Sequence, residues 1–312
     1  ARAFDAVLDA DDLGAHSADW VGTLSVGYAG AALHEIPPNG QGIAALIALG
    51  LLEQAGPSGR SVDDVATLHL AIEATKLALA DVAAHVADAD AMNFAPGDLL
   101  APGYLAERAR FIDRERAGDP GHGTPKPGGT VYVTTADASG MMVSFIQSNF
   151  VGFGSGVVVP GTGISLQNRG IGFSLAEGHP NRVAPGKRPF HTIIPGFAMN
   201  GDGTPLMSFG VMGGPMQAQG HVQMALRTIA YGQNPQAAID APRWRIVSGR
   251  TVAVESTFDP KLVAGLKALG HDVVIEPPDS VFAFGGAQII ARHGDGYVGG
   301  SDPRKDGLAA GF

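Results

Sequence analysis

A run of thirteen residues, AGDPGHGTPKPGG at 117–129, divides the chain into two parts with different periodicities. With five glycines, three prolines and almost nothing apolar, it can neither continue a helix nor bury a strand, and it reads as a surface loop. Upstream, apolar residues recur at helical spacing. In SVDDVATLHLAIEATKLALADVAAHVAD, which begins at Ser61, residues Val65, Leu68, Ile72, Leu79, Val82 and Val86 share one face. Ser61 is the expected N-cap, with Asp63 and Asp64 in the first turn where negative charge suits the helix end. A shorter helix is expected from about Ile43, after the rigid IPPNGQG turn, and a third over residues 102–113. Downstream the period shortens toward two, predicting strands over 130–136, 141–148, 156–160 and 163–166, and a hairpin in FAMNGDGTPLMSFGVM turning at Asp202-Gly203. Helical spacing returns at 217–231 and 259–269, so the fold class is α+β.

Composition removes several functions. The chain has 21 Lys+Arg against 30 Asp+Glu, a net charge of −9, and no clustered basic run, which argues against a nucleic-acid partner. With no cysteine there is no disulfide, thiolate metal site or cysteine nucleophile. The ten histidines form no H-E-x-x-H and no close pair on one helix face, and DADAMNFAPGD lacks EF-hand spacing, so no metal is expected. Apolar stretches such as 42–52 are shorter than the roughly 18 to 20 residues of a membrane span. The opening ARAFDAVLDADDL shows neither the basic nor the apolar region of a signal peptide, which leaves the compartment open between periplasmic or secreted and cytoplasmic. Assembly into a homo-oligomer is also open.

Thr130 stands where the loop meets the first strand, and spacing allows two readings. Threonine favours strands and could simply open one. Alternatively the Gly129–Thr130 bond is cut, which places a hydroxyl nucleophile and a free α-amine on one residue. Such an amine, with a reference pKa of about 7.7 to 8, can act as its own general base near neutral pH. No histidine partner is then required.

The blocks GGTVYVTTADASGMMVSF, FGSGVVVPGTGISLQNRGIGFS, GKRPFHTIIP, GVMGGPMQAQGH and SDPRKDGLAAG, in that order, resemble the gamma-glutamyltransferase family of N-terminal nucleophile hydrolases. LHLAIEATKLALAD and APGYLAERARFID look like the end of that family's large subunit, so the resemblance covers nearly the whole chain. It implies a four-layer αββα sandwich and a precursor that cuts itself between Gly129 and Thr130. Residues 1–129 would then be the end of a large subunit, paired with a small subunit of residues 130–312. No metal or organic cofactor is implied. Thr130 Oγ would attack the carbonyl of a small-molecule γ-glutamyl or other acyl amide. Gly213 and Gly214 match the glycines whose N–H groups hold the oxyanion, although a lone Gly-Gly pair is also an ordinary turn. Ser148 matches a hydroxyl that supports the nucleophile, the alternative being a strand serine facing solvent.

The departures concern substrate choice. Family members of the usual kind hold the glutamyl α-amine and α-carboxylate with an asparagine, an acidic residue and two serines, where this chain has Phe150, Gly172, His191 and Thr192. The ammonium thereby loses its counter-charge, which is costly for a buried cation. Arg169, in LQNRGIGFS, offers a fork suited to a carboxylate, or else makes a surface ion pair. His191 lines the pocket or is structural. GFGSG at 152–156 could suggest phosphate binding, but no GK[ST] follows and it reads as a loop shaping the pocket wall. FIQSNF, LQNRG and KRPFHTIIP are similar to the acylase-like branch of the family, which includes cephalosporin acylases. Three functions stand as expectations: a γ-glutamyl or glutaryl-like amidohydrolase or acyltransferase, a cephalosporin-acylase-like hydrolase without γ-glutamyl activity, and an uncleaved relative serving as a binding module.

Overall fold

The computed structural model describes residues 7–57, 59–120 and 129–312. A short exposed helix α1 (Ala10–Ala15) precedes the hairpin β1 (Leu24–Tyr28) and β2 (Ala31–Glu35), then come α2 (Gly42–Ala55), α3 (Val65–His85) and α4 (Pro102–Ala109). The second hairpin is β3 (Gly129–Ala136) and β4 (Met142–Phe150), followed by β5 (Gly196–Asn200), β6 (Pro205–Met212), α5 (Met216–Ala225) and α6 (Pro235–Asp240). The chain continues through β7 (Trp244–Ser248), β8 (Thr251–Val254), α7 (Pro260–Ala268), β9 (Asp272–Ile275), β10 (Gly286–His293) and β11 (Gly296–Ser301). Six antiparallel strands form the main sheet in the order β1-β2-β5-β6-β10-β11. β3 and β4 pair with each other, and β7-β8-β9 form a small sheet whose β8 and β9 are parallel.

Strand β6 sets the layering, because alternate residues of a strand point to opposite faces. Phe209 and Val211 face the helices, against His221 and Gly220 of α5; a Cβ on Gly220 would lie 2.6 Å from Val211 Cγ1. Ser208 and Gly210 face the β3–β4 hairpin. Ser208 Oγ accepts from Thr134 Oγ1 at 2.7 Å, and the ring of Tyr132 fills the space a side chain at Gly210 would need. The described residues therefore stack a helical layer, the six-stranded sheet and the hairpin. Behind the sheet, α2 (GIAALIALGLLEQA) is buried from Gly42 to Leu52 on every side, as expected of a helix with no polar face. Helix α5 uses glutamines as a substitute strand edge. Gln223 donates to Trp244 O at 2.9 Å and accepts from Trp244 N–H at 3.2 Å, while Gln219 accepts from Ile246 N–H at 2.7 Å, so β7 docks on a helix.

Several sequence expectations need correction. The long helix starts at Val65, because Asp64 rather than Ser61 caps it, accepting from Ala66 N–H at 3.1 Å; Ser61 Oγ instead accepts from Asp63 N–H. The expected strands at 156–160 and 163–166 reduce to one isolated bridge, Val158 to Ser165, since Gly154, Gly156, Gly161 and Gly163 all adopt positive φ and break the extended path. The third helix stops at Ala109, and α5 passes into a π turn at Leu226–Ala230. The β1–β2 hairpin was not foreseen. Its turn is written by Ala29 and Gly30, at φ +48° and +84°, with alanine in a place usually taken by Asn or Gly. The loop at 121–128 lies outside the described residues.

Candidate active site

Thr130 lies at the start of β3, partly buried, opposite an irregularity in β4. Gly129 pairs with Phe150 and Val131 with Gln147, so two residues of β4, Ser148 and Asn149, oppose Thr130 alone. Such a bulge re-aims a side chain. Here Thr130 Oγ1 donates to Ser148 Oγ at 3.1 Å, and Ser148 Oγ also accepts the Phe150 N–H at 2.9 Å. Phe150 closes the bulge at φ +81°, a left-handed conformation that costs a bulky residue about 1 to 3 kcal/mol.

The hairpin crosses β6 with Thr134 over Ser208 and Tyr132 over Gly210. Strand β6 ends at Met212, the residue before Gly213 and Gly214. These glycines turn the chain from β6 into α5 at φ +139° and +60°, values that side chains rarely adopt. Gly213 also packs closely, since a Cβ there would lie 2.9 Å from Gly285 Cα.

The remaining predicted residues form one wall. Arg169 is 8% exposed, in a short turn (Arg169–Gly172). Its Nη2 donates to Ser148 O at 3.3 Å, its guanidinium carbon lies 5.4 Å from the centre of the Phe150 ring, and its Nη1 is buried without a hydrogen-bond partner. Among the described residues no carboxylate pairs with it. Burial alone lowers its affinity for its proton. Gly172 lets the backbone of Phe190 pass directly against it, and Asn181 Nδ2 ties Gly172 O at 2.7 Å. Next along, His191 is pushed down to about 4 by burial and then by the Arg169 charge, so its imidazole is uncharged at neutral pH. His191 Nδ1 and Thr192 Oγ1 are both buried without hydrogen-bond partners.

Gln41 escaped the sequence reading. Its Nε2 donates to Thr192 O at 2.8 Å and to Gly214 O at 2.9 Å, tying the Arg169 wall to the glycine turn. Only its place, a polar residue between a proline turn and an apolar helix, marked it. A second group was also missed, apart from these residues. His69, Glu73 and His271 have potential ligand atoms within 4.8 Å of one another, but Lys76 Nζ, 2.8 Å from Glu73 Oε1, already supplies a positive charge there. His69 and Glu73, four residues apart in the fully buried middle of α3, were the available signal.

The fold is of the mixed helix-and-sheet class, with a glycine turn leading from the main sheet into α5. The whole chain, residues 1–312, matches the gamma-glutamyltranspeptidase family, and the chain belongs to that family. It is 40% identical over 309 residues to the oxamate amidohydrolase proenzyme of Klebsiella pneumoniae, covering 96% of this chain and 57% of that protein. It is 36% identical over 311 residues to the glutathione hydrolase-like YwrD proenzyme of Bacillus subtilis, covering 97% and 58%. The crystal structure of cephalosporin acylase from Bacillus halodurans superposes with a TM-score of 0.91 at 46% identity, over 100% of this chain and 56% of that one. The chain thus spans somewhat more than half the length of these relatives.

Proposed function

We propose that the protein is an autoprocessed amidohydrolase in which Thr130 is the nucleophile. The observation that carries this reading is the Thr130 Oγ1 to Ser148 Oγ hydrogen bond of 3.1 Å, formed across a bulge at the head of the strand that follows the predicted cleavage loop. After cleavage of the Gly129–Thr130 bond, the α-amine of Thr130 takes the hydroxyl proton as Oγ attacks the amide carbonyl. The tetrahedral oxyanion is held by the N–H groups of Gly213 and Gly214, the C–N bond breaks, and the amine leaves with that proton. Water then adds to the threonyl ester, passes its proton to the same α-amine and releases the acid; an acceptor amine in place of water gives acyl transfer. Ser148 positions the threonine hydroxyl.

The substrate class in this reading is a small γ-glutamyl or glutaryl-like amide. The cephalosporin-acylase-like alternative is favoured by a specific feature, the uncharged residues at Phe150, Gly172, His191 and Thr192. In the complete protein, residues 1–129 belong to the large subunit and residues 130–312 form the small one, within a four-layer αββα sandwich. The apolar outer side of the hairpin, where Val131, Val133, Val143 and Phe145 are exposed, is the face on which further layers would pack.

The reading is tested on a denaturing gel with sequencing of the new N-terminus. Wild type is expected as two fragments, the smaller beginning at Thr130, and Thr130→Ala as one inactive, uncut chain. An uncut Thr130→Ala protein that still turns over substrate defeats the mechanism, and an uncut, inactive wild type supports the binding-module alternative.

A further inference from the structure

Two successive glycines are the least restrained backbone a chain can have, and Gly213 and Gly214 both adopt positive φ. Donors to an oxyanion act only when they are fixed before the reaction, so the turn needs support from outside itself. The main sheet does not supply it on the β5 side. Strand β5 begins at Gly196, opposite Phe209, and residues 210–212 of β6 have no β5 partner. Side chains take over there. Val211 N–H donates to His221 Nε2 at 3.2 Å, and Gln41 Nε2 donates to Gly214 O at 2.9 Å.

Within the turn, Gly213 O accepts from Met216 N–H at 3.3 Å and Gly214 O from Gln217 N–H at 3.0 Å. The N–H of a trans peptide points away from its C=O, so a Gly213 carbonyl aimed into α5 sends the Gly214 N–H outward. Gln41 adds a second bond to the next carbonyl, and its buried amide nitrogen commits its other hydrogen to Thr192 O at 2.8 Å. The segment that carries Gln41 is held independently of that amide. Gln41 N–H donates to His191 O at 3.0 Å, His191 N–H donates to Asn39 O at 3.1 Å, and a Cβ on Gly40 would meet His191 Cε1 at 2.9 Å. Without the side chain, residues 191–192 keep these backbone bonds, whereas Gly214 O loses its bond to a partner outside the turn.

We propose that Gln41 is a positioning residue whose amide holds the Gly213–Gly214 turn in the conformation that presents the oxyanion donors. The inference rests on Thr130 as nucleophile and on the two glycines as the hole. Gln41 lies upstream of the Gly129–Thr130 bond and the glycines downstream, so the hole is set across the two parts of the cut chain. A restraint on donors that meet charge only in the transition state acts on kcat rather than on substrate affinity.

The test uses the complete enzyme and whichever of the glutaryl, L-γ-glutamyl and butyryl p-nitroanilides wild type turns over fastest. Gln41→Met keeps the length of the side chain and removes the donor. Its kcat should fall by roughly 10- to 100-fold, short of the loss of a whole oxyanion donor, with KM within about threefold of wild type. Gln41→Glu gives a second reading. Buried between two carbonyl oxygens, the introduced carboxyl has a raised pKa, donates one bond when protonated and repels both oxygens when ionised. At low pH it should restore part of the kcat lost in Gln41→Met, and its kcat relative to wild type at the same pH should fall as pH rises. A folded, cut Gln41→Met enzyme with wild-type kcat, or with a change in KM alone, overturns the proposal. So does a Gln41→Glu enzyme no better than Gln41→Met at any pH; where Gln41→Met is not cut, the pH dependence of Gln41→Glu decides alone. These outcomes leave Thr130 standing, whereas an uncut wild type that turns over none of the three amides removes the nucleophile and the proposal together.

Discussion

Gly213 combines a φ of +139° with a Gly285 Cα that a methyl group would meet at 2.9 Å, so both backbone conformation and space select glycine there. Gly213→Ala should therefore turn the oxyanion N–H out of line and lower kcat by about 100- to 1000-fold, with a near-normal far-UV circular dichroism spectrum. Unaltered turnover would remove Gly213 from the site. His191 offers a separate check on the charge beside it. Its imidazole is pushed down to about 4 by burial and then by the nearby Arg169, so NMR titration should find its midpoint moved up in Arg169→Met but still below 6.5, since the burial remains. At this scale the sequence left Arg169 open between a carboxylate subsite and a surface ion pair. It is buried beside Phe150 and His191, and that packing between distant segments is recorded in no local pattern.

Two elements test the packing. Gly210 of β6 lies under the ring of Tyr132, so Gly210→Ala should push the β3–β4 hairpin off the sheet, at about 1 to 3 kcal/mol of stability by denaturant unfolding and with loss of activity through Thr130. Beneath α3, Lys76 Nζ donates to Glu73 Oε1 at 2.8 Å, Gly118 O at 3.0 Å and His271 Nδ1 at 3.4 Å. An ammonium can only donate, so His271, pushed down to about 3 by burial and by Lys76, carries its proton on Nε2 and passes the hydrogen bond to His69 Nδ1 at 2.8 Å; His69 Nε2 then donates to Asp113 O. Lys76→Met strands the Glu73 carboxylate and should cost about 3 to 5 kcal/mol, whereas Lys76→Met with Glu73→Gln should cost less; equal losses would show that the charge pair is not the issue. Helical and strand periods were legible in α3 and in the β5–β6 hairpin, although Thr67 to Ala78 and Met207 to Met212 are buried on every side. They failed at 156–166, where glycines interrupt an alternating pattern, and at β1–β2, where alanine stands in for the usual turn residue.

For the whole molecule, the two depressed histidines set an acid limit. Both His191, near 4, and His271, near 3, fall below the unfolded value of 6.5, so the unfolded chain binds protons that the folded chain refuses. Their contribution is fully present above about pH 6.5 and is lost as pH falls toward those folded values. Melting temperature should fall over that interval, and His271→Asn should flatten the slope by about one proton; an unchanged slope contradicts the assignment. The general architecture was legible because it follows from the division at 117–129 and from two periodicities. The small sheet β7-β8-β9 was not, because it docks through glutamines of α5 and is held near the SDPRK segment by Arg243, Asp302, Arg304 and Glu255, contacts between residues far apart in the chain. All of the proposed chemistry depends on Thr130 becoming an N-terminus with a reactive hydroxyl. Peptide mass mapping after incubation with an electrophilic glutarate analogue tests that most directly: the label should sit on Thr130 at the head of the smaller fragment, and a label on any other residue, or none on a turning-over enzyme, would contradict it.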